Sequence, residues 1–437
     1  MEITTNRFNQ YITGLFVLLF IGTTIRWTTT TVEILVFIFT VGLYFVKRNH
    51  NPLTFCFSKE QKYFFYALIF ILFSYMLTFI LGKGWELESI KRPGYPSLTD
   101  LDIPVRYFLG IFVFLLFVRL SFKIDKRKIQ YAVVAGGIIN GFFAMYERYI
   151  LGMQRVDGFV GIAEMGTASS LLCLFSTIFF VFSTSKKEKI FFLISSLFAF
   201  AAAFSTVARS AMASLVIAMC VLFIILVFKS RANFKKIIIP LSGMLFIFSL
   251  LWSFPVTKDT FRLEEMKTDL SQYTQNNPQT SIGMRFEMWK EALAMFEMSP
   301  VYGMSTAMIA RETNRIIEKS GSRIREGDSL GVRGTKHSQI MEALAKRGAV
   351  GLLALLLFWW TSLKMFGHNL RNSNDEILKF RLCGFLGIFY FIFINSFTGE
   401  PWDSMVDTPM ILLLCALFVK FIQQEENENQ NLSHHSC

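Results

Sequence analysis

Charge, histidine and cysteine are all scarce in this 437-residue chain, and each scarcity excludes something. Charged residues make up 17% of it, too few to cover the surface of a soluble protein of this size. The six cysteines (Cys56, Cys173, Cys220, Cys383, Cys415 and Cys437) include no Cys-x-x-Cys pair, and none lies between residues 256 and 347. Neither a disulfide framework nor a thiol-based metal or redox centre is therefore expected. The five histidines form no cluster with cysteine, and the sequence has no Gly-rich phosphate loop and no Ser/His/Asp order signature. No cofactor and no bound metal are expected. No small-residue cleavage site follows the first apolar run, so that run is expected to stay as a signal anchor. The two halves show no internal repeat of the kind that many transporters carry.

Apolar residues are plentiful. The chain is 53% hydrophobic, holds 49 Phe and has a mean hydropathy of +0.45, which marks an integral membrane protein. A spanning helix needs about 20 mostly apolar residues. Twelve such runs are predicted: 11–27, 31–46, 63–81, 104–120, 129–146, 165–183, two within 190–228, 237–255, 348–366, 382–397 and 409–422. The 190–228 run has Arg209 as its single charge and is too long for one crossing, so a turn is predicted at Ser205-Thr206-Val207-Ala208-Arg209. The domain reading follows: spans one to nine in 1–255, a hydrophilic segment in 256–347, spans ten to twelve in 348–422, and a disordered polar tail in 423–437.

Short connections of one parity carry 18 Lys and Arg, and those of the other carry 7 with Arg26 at the end of the first run included. The positive-inside rule then places both termini in the cytoplasm and the 256–347 segment, with Arg209, on the outer face. The same rule accounts for the net charge of +12 without a nucleic-acid partner. Within the outer segment three helices are predicted. The first is capped by Ser281 and ended by Pro300, with Phe286, Trp289, Leu293 and Phe296 as its apolar stripe. The second covers 306–319 and stops at Gly321. After a loop at 322–334, the third starts near residues 335–337 and leads into span ten.

His337 is the first candidate for chemistry. A solvated loop histidine is the plainer reading. Against it, His50, His368, His434 and His435 all map to the cytoplasmic side, so His337 is the one imidazole for the outer face. A place in the first turn of a helix would also disfavour its cation and leave a neutral base. Arg209 is either an interfacial snorkelling residue or a charge facing a polar cavity. Arginine suits bidentate phosphate binding. Arg285, near a helix N-terminus, suits an anion as well, and Arg155 is a third candidate of this kind. Asp100-Leu101-Asp102 has the spacing of a divalent-metal site but fits an ordinary polar loop equally well. The stretch 311–347 holds nine Lys/Arg against five Asp/Glu, either a solvated surface or a partner for substrate phosphates.

Several runs resemble the lipopolysaccharide O-antigen ligase family, whose wider group includes O-antigen polymerases and protein O-oligosaccharyltransferases. They are Ser205-Thr206-Val207-Ala208-Arg209-Ser210-Ala211-Met212, Ser281-Ile282-Gly283-Met284-Arg285-Phe286-Glu287-Met288-Trp289, Ser299-Pro300 with Gly303, and His337-Ser338-Gln339 followed by Gly348. Arg155 to Gly158 is similar to a loop of that family, which commonly has His-Asn where this chain has His337-Ser338. The resemblance implies an all-α, GT-C-like polytopic fold of about 12 transmembrane helices with one large helical periplasmic loop. It implies an inner-membrane transferase with its active site facing the periplasm. The donor would be an undecaprenyl-pyrophosphate-linked glycan and the acceptor a sugar hydroxyl of lipid A-core, joined with inversion and without metal. Arg209, Arg285 and Arg155 would bind the pyrophosphate and His337 would activate the acceptor. A polymerase or a protein O-oligosaccharyltransferase would share the donor and the arginines. A polysaccharide or lipid transporter is the reading from a different class.

Overall fold

The structure, a computed structural model, describes residues 2–25, 27–47, 57–84, 99–229, 235–253, 263–275, 277–323 and 335–435. Among them the chain is helical, with one isolated bridge between Ile25 and Phe159. The first nine helices are α1 (Glu2–Ile21), α2 (Thr28–Lys47), α3 (Lys59–Leu81), α4 (Thr99–Arg119), α5 (Lys126–Met145), α6 (Ile162–Phe182), α7 (Lys186–Ser205), α8 (Arg209–Phe228) and α9 (Lys235–Ser253). Three hydrophilic helices follow: α10 (Leu263–Thr274), α11 (Ser281–Met298) and α12 (Thr306–Ser320). The chain ends with α13 (Gln339–Gly367), α14 (Asp375–Tyr390) and α15 (Asp407–His435). Among the described residues, nine helices are long and apolar enough to cross a membrane: α2 to α8, α13 and α15. The protein is thus an all-α, polytopic membrane protein.

Each predicted span overlaps a helix, but 11–27 runs past the end of α1 at Ile21 and 382–397 runs past α14 into a segment broken at Phe393; the predicted turn falls between α7 and α8. α6 and α15 are almost wholly buried among their neighbours, whereas Phe73, Phe142, Phe228 and Phe246 on the outer helices are exposed. Small polar residues join the inner helices. Ser176 bonds Ser195 at 2.8 Å, Thr177 bonds Ser196 at 2.8 Å, and Asn140 donates to Ser169 at 3.1 Å. Such bonds suit a bundle in lipid, where apolar contact alone does not favour one helix pair over another.

The connections split between the two ends of the bundle. At one end Phe159 N–H donates to Thr24 carbonyl at 3.0 Å, Val156 N–H to Ser205 carbonyl at 3.4 Å, Thr30 hydroxyl to Met405 carbonyl at 3.2 Å, and Thr78 hydroxyl to Tyr302 carbonyl. This end also carries α11 and α12. At the other end Lys123 N–H donates to the Asn9 side chain at 3.1 Å, and Lys126 meets Glu425 at 2.6 Å, so α1 begins and α15 finishes there.

Four local readings change. The tail predicted to be disordered is helical through His435, because Gln424 and Glu425 bond back to Ile124 and Lys126. Asp100 and Asp102 belong to the first turn of α4 rather than to a loop. On α11, capped by Thr280, the buried face is Glu287, Met288, Glu291, Ala292 and Met295, while Leu293 is exposed. The apolar stripe is displaced because Glu287 is bonded inside by Tyr273, Lys290 and Arg323. Of the predicted 322–334 loop, residues 324–334 lie outside the described residues, as do 85–98 and 254–262 of the other hydrophilic connections.

α13 is two helices joined at a break. Gly348 there has φ +63° and ψ −158°, a region open essentially to glycine alone. The turn after α11 fills the break: Ala349 N–H donates to Pro300 carbonyl at 2.8 Å and Val350 N–H to Val301 carbonyl at 3.2 Å. Gly303 (φ +72°) lies so close that a Cβ would strike the Arg347 backbone, and a Cβ on Gly348 would lie 2.6 Å from Val301 oxygen. Ser299-Pro300, Gly303 and Gly348 therefore form one joint, which sets the angle between the membrane helix and the segment bearing His337. Gly348→Ala is expected to cost at least about 1–3 kcal/mol from backbone strain alone. A fall in the thermal midpoint of the detergent-purified protein would measure it, and an unchanged midpoint would refute the joint.

Candidate active site

His337 precedes α13 instead of lying in its first turn, because the helix is capped by Ser338, whose hydroxyl accepts from Met341 N–H. Its backbone is left-handed, with φ +48°, an uncommon state for a non-glycine residue. Both flanks are pinned. Trp289 Nε1 donates to Lys336 carbonyl at 3.0 Å, Lys336 N–H to Glu342 at 3.1 Å, and Ser338 N–H to Glu400 at 3.2 Å. The imidazole itself is exposed at the edge of a cavity of about 650 Å³. Partial desolvation and the neighbouring Arg285 guanidinium hold its pKa below the usual value, against an opposing pull from Glu342. The helix N-terminus invoked for a neutral imidazole is therefore not its cause; desolvation and Arg285 act in the same direction.

Arg285, on α11, is half-buried. Burial and the nearby Arg209 lower its pKa, while Glu400 acts the other way. Arg209 is the first residue of α8, whose N-cap Ala208 gives no side-chain cap. Arg155 is exposed on the connection whose Val156 bonds to Ser205, at the foot of the Arg209 turn. The structure therefore brings Arg209, Arg285 and His337 into one electrostatic neighbourhood. Arg155 lies on an adjoining loop.

Asp100 accepts from Thr306 N–H at 3.0 Å and from its hydroxyl, tying α4 to α12. The basic excess of 311–347 is largely answered from within. Lys346 meets Glu342 at 2.5 Å, and Arg347 meets Asp403 at 2.7 Å. Burial pulls the fully buried Lys336 down to about 8, with Glu342 and Glu291 opposing. Lys346 and Arg347 are thus engaged within the protein, while Arg325 and Arg333 of the same stretch lie outside the described residues.

Sequence reasoning did not find Tyr75, Asp403 or Asp407 in the cavity. Asp403 accepts from Arg347, from Gln339 Nε2 at 2.5 Å and from Tyr75 hydroxyl, and Arg347 also stacks 4.2 Å over the Tyr75 ring. Burial pushes the Glu400 carboxyl up to about 7, with Glu342 adding to the rise and Lys346 and the Ser338 and His337 N–H groups opposing it. The available signal was the run from Glu400 to Asp407, in which three carboxylates sit between two apolar spans.

A family model described as O-antigen ligase matches residues 194–356. This chain carries an O-antigen ligase-family domain. The matched stretch runs from α7 into α13 and holds Arg209, Arg285 and His337. Arg155 and the Glu400–Asp407 run lie outside it. The chain is 27% identical over 353 residues to an uncharacterized protein of Haemophilus influenzae, covering 79% of this chain and 82% of that one. It is 24% identical over 282 residues to an O-antigen ligase of Escherichia coli, covering 64% of this chain and 65% of the ligase.

Proposed function

We propose that this chain is a glycosyltransferase that moves a glycan from undecaprenyl pyrophosphate to a sugar hydroxyl of lipid A-core, inverting the anomeric centre without a metal. The observation that carries the reading is an imidazole at a cavity edge, kept neutral beside Arg285 and Arg209, within the O-antigen ligase-family stretch. Pyrophosphate leaves readily, so the protein's task is to stabilise charge on it and to take a proton from the acceptor. Arg209 and Arg285 perform the first and His337 the second. Arg155 extends the phosphate side. Asp100 and Asp102 hold no metal in this reading, and activity is expected to persist in excess chelator. Loss in chelator with recovery in magnesium would overturn metal independence.

Twelve helices span the inner membrane, with both termini cytoplasmic and the 256–347 loop periplasmic. In a background freed of native cysteines, Asn314→Cys on α12 is expected to react with an impermeant thiol reagent in intact spheroplasts, and Ser185→Cys is not. The reverse pattern would invert the topology. A deletion strain tests the reaction. Loss of polymer on lipid A-core with lipid-linked polymer retained is the expected result. A single repeat unit on the core indicates a polymerase, and polymer held on the inner side indicates a transporter.

A further inference from the structure

We propose that the seam between α3 and α13 holds one anionic glycerophospholipid, with its phosphodiester at Lys364, Lys59 and Lys62 and an acyl chain in a groove of about 500 Å³. The proposal rests on the membrane-spanning fold and not on the proposed reaction.

The groove lies at the end of the bundle opposite His337. His368, which follows α13, has its Nδ1 3.7 Å from Glu60 in the first turn of α3. Arg381 donates to the His368 carbonyl at 2.8 Å and to Glu426, near the finish of α15, at 3.0 Å. On the inward side the two helices touch through Phe64 and Phe358, both fully buried, with ring centroids 5.5 Å apart. On the lipid side they part. Tyr63, Tyr66 and Phe70 of α3 wall one flank, and Leu357, Trp360 and Lys364 of α13 wall the other. Each set is spaced by three and four residues, so each is one continuous helix face.

Polarity falls along this face. Lys364 marks the charged end, with Nζ 5.4 Å from the centroid of the Tyr63 ring. Lys59 and Lys62 stand one turn before Tyr63 and Tyr66 on α3, so three ammonium groups gather there. Among the described residues none of the three is paired with a carboxylate, and Glu60 between them is turned to His368. Tyr63, Tyr66 and Trp360 come next, exposed residues whose rings suit the boundary between membrane and water. Phe70 and Leu357 lie seven residues further in, about 10 Å along the helices. The Thr361 hydroxyl beside them donates to the Leu357 carbonyl at 2.8 Å and asks nothing of a ligand.

Cations at one end and apolar walls at the other match an amphiphile with a negative head. The volume falls within the range of about 300–1,000 Å³ usual for ligand sites. Lysine, a point charge on a flexible stem, suits the single charge of a phosphodiester, whereas a diphosphate favours the planar fork of arginine. The polyprenyl donor, whose head is proposed to lie with the arginines at the far end, is the poorer fit. Under the proposed topology the bound head lies in the cytoplasmic leaflet, where clustered lysines attract anionic lipid. A lipid in this seam joins α3 to α13, the helices that carry Tyr75 and Arg347 to the cavity, and binding to the folded state alone stabilises it.

The test uses the full chain, delipidated in detergent, with phosphatidylglycerol and phosphatidylethanolamine of the same acyl chains. Native mass spectrometry is expected to show one phosphatidylglycerol retained in preference to phosphatidylethanolamine, and phosphatidylglycerol is expected to raise the thermal midpoint more. A lysine beside an anionic head is worth about fivefold in affinity, so Lys364→Gln should cut the preference about fivefold. Combining it with Lys59→Gln and Lys62→Gln should abolish the preference. Trp360→Ala removes a wall and no charge, so it should weaken retention of both lipids and leave their ratio unchanged. All four side chains are exposed, so the variants are expected to fold. Equal retention of the two lipids by the wild type, an unchanged preference in the triple variant, or tighter binding of undecaprenyl phosphate than of phosphatidylglycerol would each overturn the proposal.

Discussion

His337→Ala is expected to slow glycan transfer by roughly 10²–10⁴-fold and to leave binding of the lipid-linked donor near normal. With the donor held by the arginines, as proposed, the loss should fall on kcat. His337→Gln keeps the size and hydrogen bonding of the side chain but cannot take a proton at neutral pH, and it should fail as well. The pH profile separates a base from a mere contact. Desolvation and Arg285 hold the imidazole below its usual pKa, with Glu342 opposing, so it is neutral and competent at neutral pH. The rate should therefore fall as pH drops through the lowered pKa, below about 6.5. Glu400, which binds the adjacent backbone, titrates near 7 and can steepen the same limb. Near wild-type turnover in His337→Gln would reduce the residue to a positioning contact. Loss of donor binding in His337→Ala would move it to the phosphate side.

The helices were legible in the sequence because hydropathy and length report directly on what lipid demands. The α7–α8 turn could be placed within a residue because Arg209 interrupts an apolar run longer than one crossing. Gly321 reads as a stop and adopts a left-handed cap, since glycine alone enters that region without cost. Pairing of charges was not legible. The basic excess of 311–347 looked available for phosphates, yet Lys346 and Arg347 each meet a carboxylate, and Asp403, the partner of Arg347, lies 56 residues away. The stripe on α11 failed for the same reason: Glu287 is buried because Arg323 reaches it from beyond α12. Helix periodicity describes one element at a time, whereas a cavity lined from α3, α4, α6, α13 and α15 depends on contacts between elements. His337 was singled out without its setting because composition and loop charge alone leave one histidine for the expected outer face. Its left-handed backbone and the Glu400 contact are facts of packing.

Arg285→Ala and Arg209→Ala are each expected to cost roughly 10²–10³-fold in transfer, the scale of losing one preorganised donor to developing charge, with protein levels near normal. The two guanidiniums lie close enough for Arg209 to lower the pKa of Arg285. That repulsion is a standing cost in the empty protein, and a diphosphate bound between them, as proposed, would relieve it. Lys at either position restores charge but not the planar fork, so rescue should be partial. The two substitutions should also differ. Arg209 is exposed at the rim, so its removal should weaken donor binding and leave the pH profile in place. Arg285 also depresses His337, so in Arg285→Gln the residual activity should lose its acid limb at a higher pH than wild type, because removing the neighbouring cation lets the imidazole pKa rise. An unshifted limb would separate Arg285 from the base, and wild-type activity in Arg209→Ala would leave that residue as a snorkelling arginine with no part in phosphate binding.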